Sequence, residues 1–180
     1  MSDFFKESGM YTRYEFSEFS GSLRPVNYEM PVPKGSEVLL KVDYCGVCHS
    51  DVHVHDGYYG LGNGQRLSLE DRGIKLPLTL GHEVVGTVVA VGKDSGDISI
   101  GQQSLVYPWI GCGVCSVCLR GEENLCEKPA SLGVFRPGGY SEYIVVPHRR
   151  YLIDIGNLNP ANAALLACSG LTTGSSHLRV

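Results

Sequence analysis

Four of the chain's seven cysteines lie within the stretch CGVCSVCLRGEENLC. Cys112, Cys115, Cys118 and Cys126 follow a C-x2-C-x2-C-x7-C spacing. Each two-residue spacing lets the backbone wrap back on one tetrahedral ion, and four thiolates suit zinc. Four thiolates leave zinc no open position, so the pattern predicts a structural zinc lobe at about residues 108–128. The alternatives are free cysteines and disulfides, and disulfides between such close neighbours would be strained.

Composition excludes several other classes of protein. The 180 residues can bury a core without a metal, and 43% hydrophobic residues with a net charge of -4 argue against disorder. No basic stripe indicates nucleic-acid binding, and no apolar run is long enough to span a membrane. The first residues lack the pattern of a secretory signal, so we expect a cytoplasmic protein with reduced cysteines. An odd cysteine count also favours metal binding over disulfides.

Short strands separated by glycine and proline predict a mainly β fold, either an antiparallel barrel or a sandwich. A single helix is predicted over Asn159–Gly170, because Asn159 can cap it, Pro160 suits its first turn and Gly170 suits its end. The polar, glycine-rich segment from Gly57 to Gly73 is interpreted as an exposed loop. The predicted strands are Glu37–Cys48, Glu83–Gly92, Gln103–Ile110 and Tyr140–Pro147.

The remaining cysteines offer a second metal site. Cys48, His82 and Cys168 could supply two thiolates and one imidazole, a ligand set that leaves a catalytic zinc one open position. Spacing alone does not select these residues. Cys45 could replace Cys48, or either could be a buried apolar thiol.

Three motifs carry a resemblance to a known family. CGVCHSD begins at Cys45, GHEVVGTVVAVGKDS begins at Gly81, and the four-cysteine lobe follows. In this order they resemble the zinc-dependent alcohol dehydrogenases of the medium-chain dehydrogenase/reductase family, with the match running from about Glu37 to Thr173. The resemblance implies a GroES-like barrel with short helices over residues 1–170, and a connection to a cofactor-binding domain beginning at residues 171–180.

The resemblance also implies roles around the second site. Cys48, His82 and Cys168 would be the catalytic zinc ligands, and Cys45 would be a packed non-ligand. Asp51 would accept a hydrogen bond from the ligand histidine and fix its tautomer. Glu83 would approach the metal during ligand exchange. The alternatives are a turn cap for Asp51 and a solvated strand residue for Glu83.

The implied reaction is the reversible oxidation of an alcohol to an aldehyde or ketone by hydride transfer to NAD or NADP, with two zinc ions per chain. Ser50 and His53 would carry the released proton to solvent, since histidine titrates near physiological pH. His49 would contact the cofactor pyrophosphate and Thr172 the nicotinamide.

Further residues fall where the family places its substrate pocket. Trp109 would wall that pocket, although core packing is a close alternative. His55, Tyr58 and Tyr59 would be bulky pocket residues or surface residues. His148 and His177 match no family position and are expected to be ordinary surface histidines.

The chain departs from the family in two ways. The stretch between His53 and His82 is longer than in compact members, which places the segment 57–73 beside the substrate cleft. The family's Rossmann half, with its G-x-G-x-x-G turn, is not found in these 180 residues.

We therefore expect a chain, whether a fragment or a truncated product, that binds zinc but has little affinity for NAD and little activity without the Rossmann half. The complete enzyme is expected to be a homo-oligomer. The alternative function is a zinc-stabilised GroES-like module for binding or assembly.

Overall fold

A computed structural model describes residues 9–177 as a mainly β structure with short helices. The ten strands are β1 (Met10–Phe16), β2 (Arg24–Glu29), β3 (Val38–Gly46), β4 (Tyr58–Gly62), β5 (Gln65–Ser68), β6 (Leu78–Thr79), β7 (Glu83–Val91), β8 (Gln103–Val106), β9 (Tyr143–Val146) and β10 (Leu152–Asp154). The four α-helices are α1 (His49–Asp56), α2 (Ser116–Leu119), α3 (Pro160–Ala164) and α4 (Ser169–His177). Three 3-10 turns cover Glu123–Leu125, Arg149–Tyr151 and Leu165–Ala167.

A five-stranded antiparallel sheet in the order β10-β8-β7-β3-β9 forms the body of the structure. Its centre is the pair β3–β7, in which the valine-rich β7 is largely buried and β3 is buried over its first three residues. Gly86 allows the two strands to approach closely, since a Cβ there would lie 2.6 Å from the Lys41 carbonyl oxygen. The pair ends with Gly46 opposite Glu83, so the strand ends that precede Cys48 and follow His82 lie side by side.

Two smaller sheets complete the fold. Strands β2, β1 and β6 form one of them, and β4 and β5 form a hairpin. Among the described strands no sheet closes into a full barrel, so the strands form an open arrangement instead of the closed barrel that was expected. The main apolar cluster lies on the five-stranded sheet, and a second one, containing Phe16, Val54 and Leu80, lies under the three-stranded sheet and α1.

The structure confirms all four predicted strands, with ends that differ by a few residues. The predicted exposed loop at 57–73 is wrong in part, because Tyr58–Gly62 and Gln65–Ser68 pair as a hairpin. Its Asn63-Gly64 turn has positive φ at both residues, which is the backbone that a tight hairpin turn requires. Strands β1 and β2 were not predicted: β2 is largely exposed, and β1 mixes charged with aromatic residues and buries Glu15 beside Phe16, so neither strand shows a clear apolar alternation.

The predicted start of the helix at Asn159–Gly170 is correct, but its predicted end is wrong. The Asn159 side chain accepts a hydrogen bond from the Asn162 N–H at 3.2 Å, and Pro160 occupies the first turn. The chain then leaves helical geometry at Cys168 and starts α4 one residue later. Gly170 therefore lies inside a helix, and the expectation of a single helix is wrong, because α1, α2 and α4 form as well. Among the described residues, no helix is long and apolar enough to cross a membrane.

Candidate metal centres

The four lobe cysteines converge at one point. Their sulfur atoms all lie within 4.8 Å of one another, and three of the S···S distances are 3.5, 3.9 and 3.9 Å. A tetrahedral zinc with Zn–S bonds near 2.3 Å places its sulfur ligands about 3.8 Å apart. The sulfur geometry therefore fits a zinc ion with four thiolate ligands.

Backbone donors and a close glycine shape this cluster. The N–H groups of Cys112 and Lys128 each donate to the Cys126 sulfur at 3.3 Å. Gly111 packs against the cluster so tightly that a Cβ there would lie 2.6 Å from the Cys118 sulfur. These donors favour negative charge on the sulfur atoms, which is what metal ligation needs.

One largely buried acid, Glu123, attaches the lobe to the main sheet; its side chain is 12% exposed. Glu123 accepts a hydrogen bond from the Gly111 N–H at 3.1 Å and one from the Tyr151 hydroxyl at 2.5 Å. It also forms an ion pair with Arg150 at 2.9 Å. The sequence analysis missed this anchor, because Arg150 and Tyr151 lie far along the chain beside β10.

A second cluster joins Cys48, His82 and Cys168, with Glu83 beside them. Their ligand atoms lie within 4.8 Å of one another, and the two sulfur atoms are 3.8 Å apart. Cys48 precedes α1, His82 precedes β7, and Cys168 lies at the break before α4. The fold thus brings together the three predicted ligands from widely separated segments.

His82 is oriented as a metal ligand would be. Its Nδ1 lies 3.0 Å from the Asp51 carboxylate, and both side chains are buried. Its Nε2 is buried and has no hydrogen-bond partner among the described residues. A buried nitrogen without a partner is costly, and a cation between this nitrogen and the two thiols would satisfy it. The residues therefore fit a zinc ion at this position.

Asp51 is a central hydrogen-bond acceptor of this site and not merely a turn cap. Its Oδ1 accepts from the Gly81 N–H at 3.1 Å and faces His82, and its Oδ2 accepts from the Cys48 N–H at 2.9 Å. A single carboxylate therefore fixes the start of α1 and the residue before β7. Asp51 retains only 3% of its accessible surface.

The two thiols of the site differ in acidity. Burial opposes ionisation of Cys48, yet hydrogen bonds from Ser50 and the electrostatic influence of the nearby His82 lower the pKa of the Cys48 thiol below its ordinary value. Burial raises the pKa of the Cys168 thiol to about 12, and the neighbouring Cys48 adds to the shift. Burial also opposes protonation of His82, but Asp51 raises the pKa of His82 above its ordinary value.

Cys45 stands apart from the cluster. Its thiol donates a hydrogen bond to the Gly46 carbonyl at 3.6 Å and is packed between Gly81 and Gly139. Burial raises the pKa of the Cys45 thiol to about 12. The geometry places Cys45 in the strand core, as the family resemblance implies, and not among the converging ligand atoms.

Glu83 is fully buried and points into the site rather than toward solvent. Its Oε1 accepts a hydrogen bond from the Ser169 hydroxyl at 3.1 Å. Because Ser169 follows Cys168 directly, Glu83 also fixes the start of α4. Gly46 leaves the space that the Glu83 carboxylate occupies.

The predicted proton-transfer residues lie on α1. Ser50 is hydrogen-bonded to Cys48. His53 stacks between His49 at 4.4 Å and Tyr59 at 5.0 Å, measured between ring centroids. His53 is partly exposed and His49 is exposed, which brings an imidazole pair from the cluster edge to the surface.

Trp109 and Thr172 line one cavity of about 430 Å³ beside the second cluster. The Trp109 ring centroid lies 6.0 Å from that of His82. Leu171 and Ser175 of α4 line the same cavity. The predicted pocket residue and the predicted nicotinamide contact therefore face one space.

The other predicted pocket residues lie elsewhere. His55 hydrogen-bonds the Gly21 carbonyl oxygen at 2.6 Å, and Tyr58 packs under the Arg66 guanidinium at 4.0 Å. His148 accepts a hydrogen bond from the Arg150 N–H at 3.0 Å and so caps a 3-10 turn. His177 is exposed, as the sequence analysis expects.

Comparisons with known proteins agree with this geometry. The family described as "Alcohol dehydrogenase GroES-like domain" matches residues 34–157. An NAD-dependent alcohol dehydrogenase of Sulfurisphaera tokodaii is 45% identical over 156 residues, which cover 87% of this chain and 44% of that protein. One of Saccharolobus solfataricus is 47% identical over 144 residues, which cover 80% and 40%. The chain thus spans less than half the length of these relatives.

Solved structures share the fold. The D-arabinose dehydrogenase of Sulfolobus solfataricus superposes with a TM-score of 0.79 at 31% identity, covering 94% of this chain and 48% of that one. A cobalt- and zinc-bound thermostable alcohol dehydrogenase from Pyrobaculum aerophilum superposes with a TM-score of 0.76 at 28% identity and the same coverage.

A β fold with two converging cysteine-containing clusters defines the class as a GroES-like domain. The chain belongs to the alcohol dehydrogenase GroES-like domain family.

Proposed function

We propose that this chain is the catalytic domain of a zinc-dependent alcohol dehydrogenase that oxidises an alcohol reversibly to an aldehyde or ketone with NAD or NADP. The observation that carries the proposal is the buried, unpartnered Nε2 of His82 facing the thiols of Cys48 and Cys168. Relatives named as NAD-dependent alcohol dehydrogenases support the same reaction.

Two zinc ions per chain are proposed. Cys112, Cys115, Cys118 and Cys126 would hold one as a closed structural site. Cys48, His82 and Cys168 would hold the other with one position open to the substrate. Bound there, zinc would supply a Lewis acid that stabilises negative charge on the substrate oxygen.

The chain's own residues would prepare this site. Asp51 holds His82 with its Nε2 free for ligation. Glu83, buried within the same group of ligand atoms, is a carboxylate that could approach the metal during ligand exchange. Trp109 contributes an apolar wall beside His82, which would exclude water and favour an alcohol with an apolar body.

Ser50 and His53 are proposed to move the proton released from the alcohol. Ser50 lies beside Cys48, and His53 lies one turn further along α1 with partial exposure. A hydroxyl inside the site followed by an imidazole at its edge suits stepwise transfer to solvent.

His49 and Thr172 are proposed cofactor contacts, for the pyrophosphate and the nicotinamide respectively. Both are exposed, and Thr172 shares the cavity of Trp109. The reduced thiols of both clusters fit a cytoplasmic location. Homo-oligomer formation by the complete enzyme stays a prediction, which light scattering on the complete protein tests.

Zinc content tests the proposal. We expect two zinc ions per chain in the parent, one in Cys48→Ser and one in Cys112→Ser, measured by elemental analysis after gel filtration. Cys45→Ser is the matched control and should retain both ions, because Cys45 lies outside the converging atoms. In the complete enzyme, Cys48→Ser should abolish alcohol oxidation. A parent chain that holds a single ion, lost only in Cys112→Ser, would contradict the enzyme function and favour a binding module.

A further inference from the structure

Tyr140 forms a hydrogen bond with Asp51, which in turn faces the candidate metal ligand His82. The Tyr140 hydroxyl donates a hydrogen bond to Asp51 Oδ2 at 3.3 Å. The phenol comes from the segment before β9, about ninety residues from Asp51 along the chain. Burial raises the pKa of Tyr140 well above its usual range, so the hydroxyl keeps its proton and acts as a donor.

The backbone around Tyr140 is fixed against the segment that carries His82. The N–H of Tyr140 donates to the Leu80 carbonyl at 2.9 Å, and the N–H of Gly139 donates to the Gly81 carbonyl at 2.7 Å. The Tyr140 ring packs on Gly81, where a Cβ would lie 2.7 Å from the ring edge. These contacts hold the phenol and the residue before His82 in one rigid unit.

The two carboxylate oxygens of Asp51 have four polar neighbours between them. Gly81 and His82 face Oδ1, and Cys48 and Tyr140 donate to Oδ2. Because Asp51 is 3% exposed, water has little access to replace a lost donor. Removing the Tyr140 hydroxyl would leave Oδ2 with the Cys48 N–H alone and would loosen the carboxylate that orients His82.

We infer that Tyr140 is a positioning residue for the three-ligand metal site, acting through Asp51 to aim the His82 imidazole at the metal. The inference rests on the proposed zinc site at Cys48, His82 and Cys168. Its physical basis is that a group hydrogen-bonded to a metal-ligating histidine fixes the orientation of the ring and raises its basicity.

Cobalt binding to the 180-residue chain tests the inference, because Co²⁺ bound to thiolates absorbs visible light while zinc does not. Cys48→Ser and Cys112→Ser first assign the absorption of each site. We then expect Tyr140→Phe to weaken metal binding at the three-ligand site about three- to tenfold, somewhat less than the effect of removing a direct partner of a ligand. The ligand-field absorption bands of Co²⁺ at the three-ligand site should also shift, while Co²⁺ binding at the four-cysteine lobe stays unchanged.

Two controls separate positioning from general loosening of the fold. Tyr14→Phe removes the hydroxyl of a half-exposed tyrosine on the neighbouring strand and should change neither site. In an Asp51→Asn background, Tyr140→Phe should have much less effect, since the charged acceptor is gone.

The outcomes that contradict the inference are distinct from those that contradict the proposed function. Equal weakening of both sites by Tyr140→Phe, an undiminished effect in the Asp51→Asn background, or parent-like affinity and spectrum would each overturn the role of Tyr140. A parent chain without any cobalt signal that depends on Cys48 would instead overturn the three-ligand site, and this inference with it.

Discussion

At the residue scale, glycines bring the segments of the second metal centre into contact. A Cβ on Gly81 would lie 2.7 Å from the Cys45 sulfur, and one on Gly139 would lie 2.8 Å from the same atom. Gly46 likewise makes room for the Glu83 carboxylate. The sequence motifs mark the ligands, but these close contacts bring the ligand-bearing segments near enough to share a metal.

Gly139→Ala should therefore destabilise the fold by about 1–3 kcal/mol, because the new methyl group meets Val84 and Cys45 in a packed core. Denaturant unfolding followed by circular dichroism measures the change. Gly60→Ala is the matched control, since a Cβ there has nothing within 4 Å and the residue has ordinary backbone angles. Equal stability of the two variants would contradict this account of the packing.

At the element scale, the four-cysteine lobe contains little regular structure of its own. One turn of α2 and one 3-10 turn connect its cysteines, and Leu119 and Leu125 are exposed. Glu123 links the lobe to Arg150 and Tyr151, beside the main sheet. The lobe is thus held from within by its four converging cysteines and is joined to the sheet by the partly buried Glu123.

Glu123→Gln should loosen the lobe, because a neutral amide cannot accept all three partners of the carboxylate. We expect a loss of about 1–2 kcal/mol in stability and faster proteolysis between residues 111 and 126. The neighbouring Glu122→Gln is the control, since it removes only an exposed ion pair with Arg120 and should cost well under 1 kcal/mol. Similar proteolysis of the two variants would show that Glu123 does not anchor the lobe.

At the scale of the whole molecule, the two clusters depend on the fold to different degrees. The lobe cysteines are local in sequence, whereas the second site joins segments that flank the central β3–β7 pair. The sheet core of Val38, Leu40, Val84 and Val88 is buried without contribution from either cluster. Loss of metal should therefore lower the stability of the protein without unfolding its main sheet.

Removal of zinc with a strong chelator should lower the melting temperature by about 5–10 °C. This is the loss expected when a domain of this size loses a ligand whose concentration is well above its dissociation constant. The β signal in circular dichroism should persist below the transition. Cys112→Ser should reproduce most of this loss and Cys48→Ser much less, because only the lobe relies on its ion for shape. An unchanged melting temperature after verified zinc removal would contradict this dependence.

Much of the fold was predictable from local pattern. The valine-rich strand at β7 and the cap at Asn159 carry their signals within a few residues. The hairpin β4–β5 and strand β2 were missed because exposed strands lack the apolar alternation that marks a buried face, and β1 was missed because charged residues interrupt its apolar pattern. The helix after Cys168 was missed because its side chains are exposed and show little periodicity.

The sequence by itself determined the family, the four-cysteine lobe and the identity of the candidate ligands, because these depend on residue type and short spacing. Spacing left Cys45 and Cys48 as alternatives and the family resemblance favoured Cys48; the tertiary structure then places the sulfur of Cys48, and not that of Cys45, among the atoms that converge with His82. It alone revealed the contacts of Tyr140 with Asp51 and of Glu123 with Tyr151. These supporting contacts join residues that are far apart in the chain. They arise from the packing of the whole sheet, so local residue spacing does not predict them.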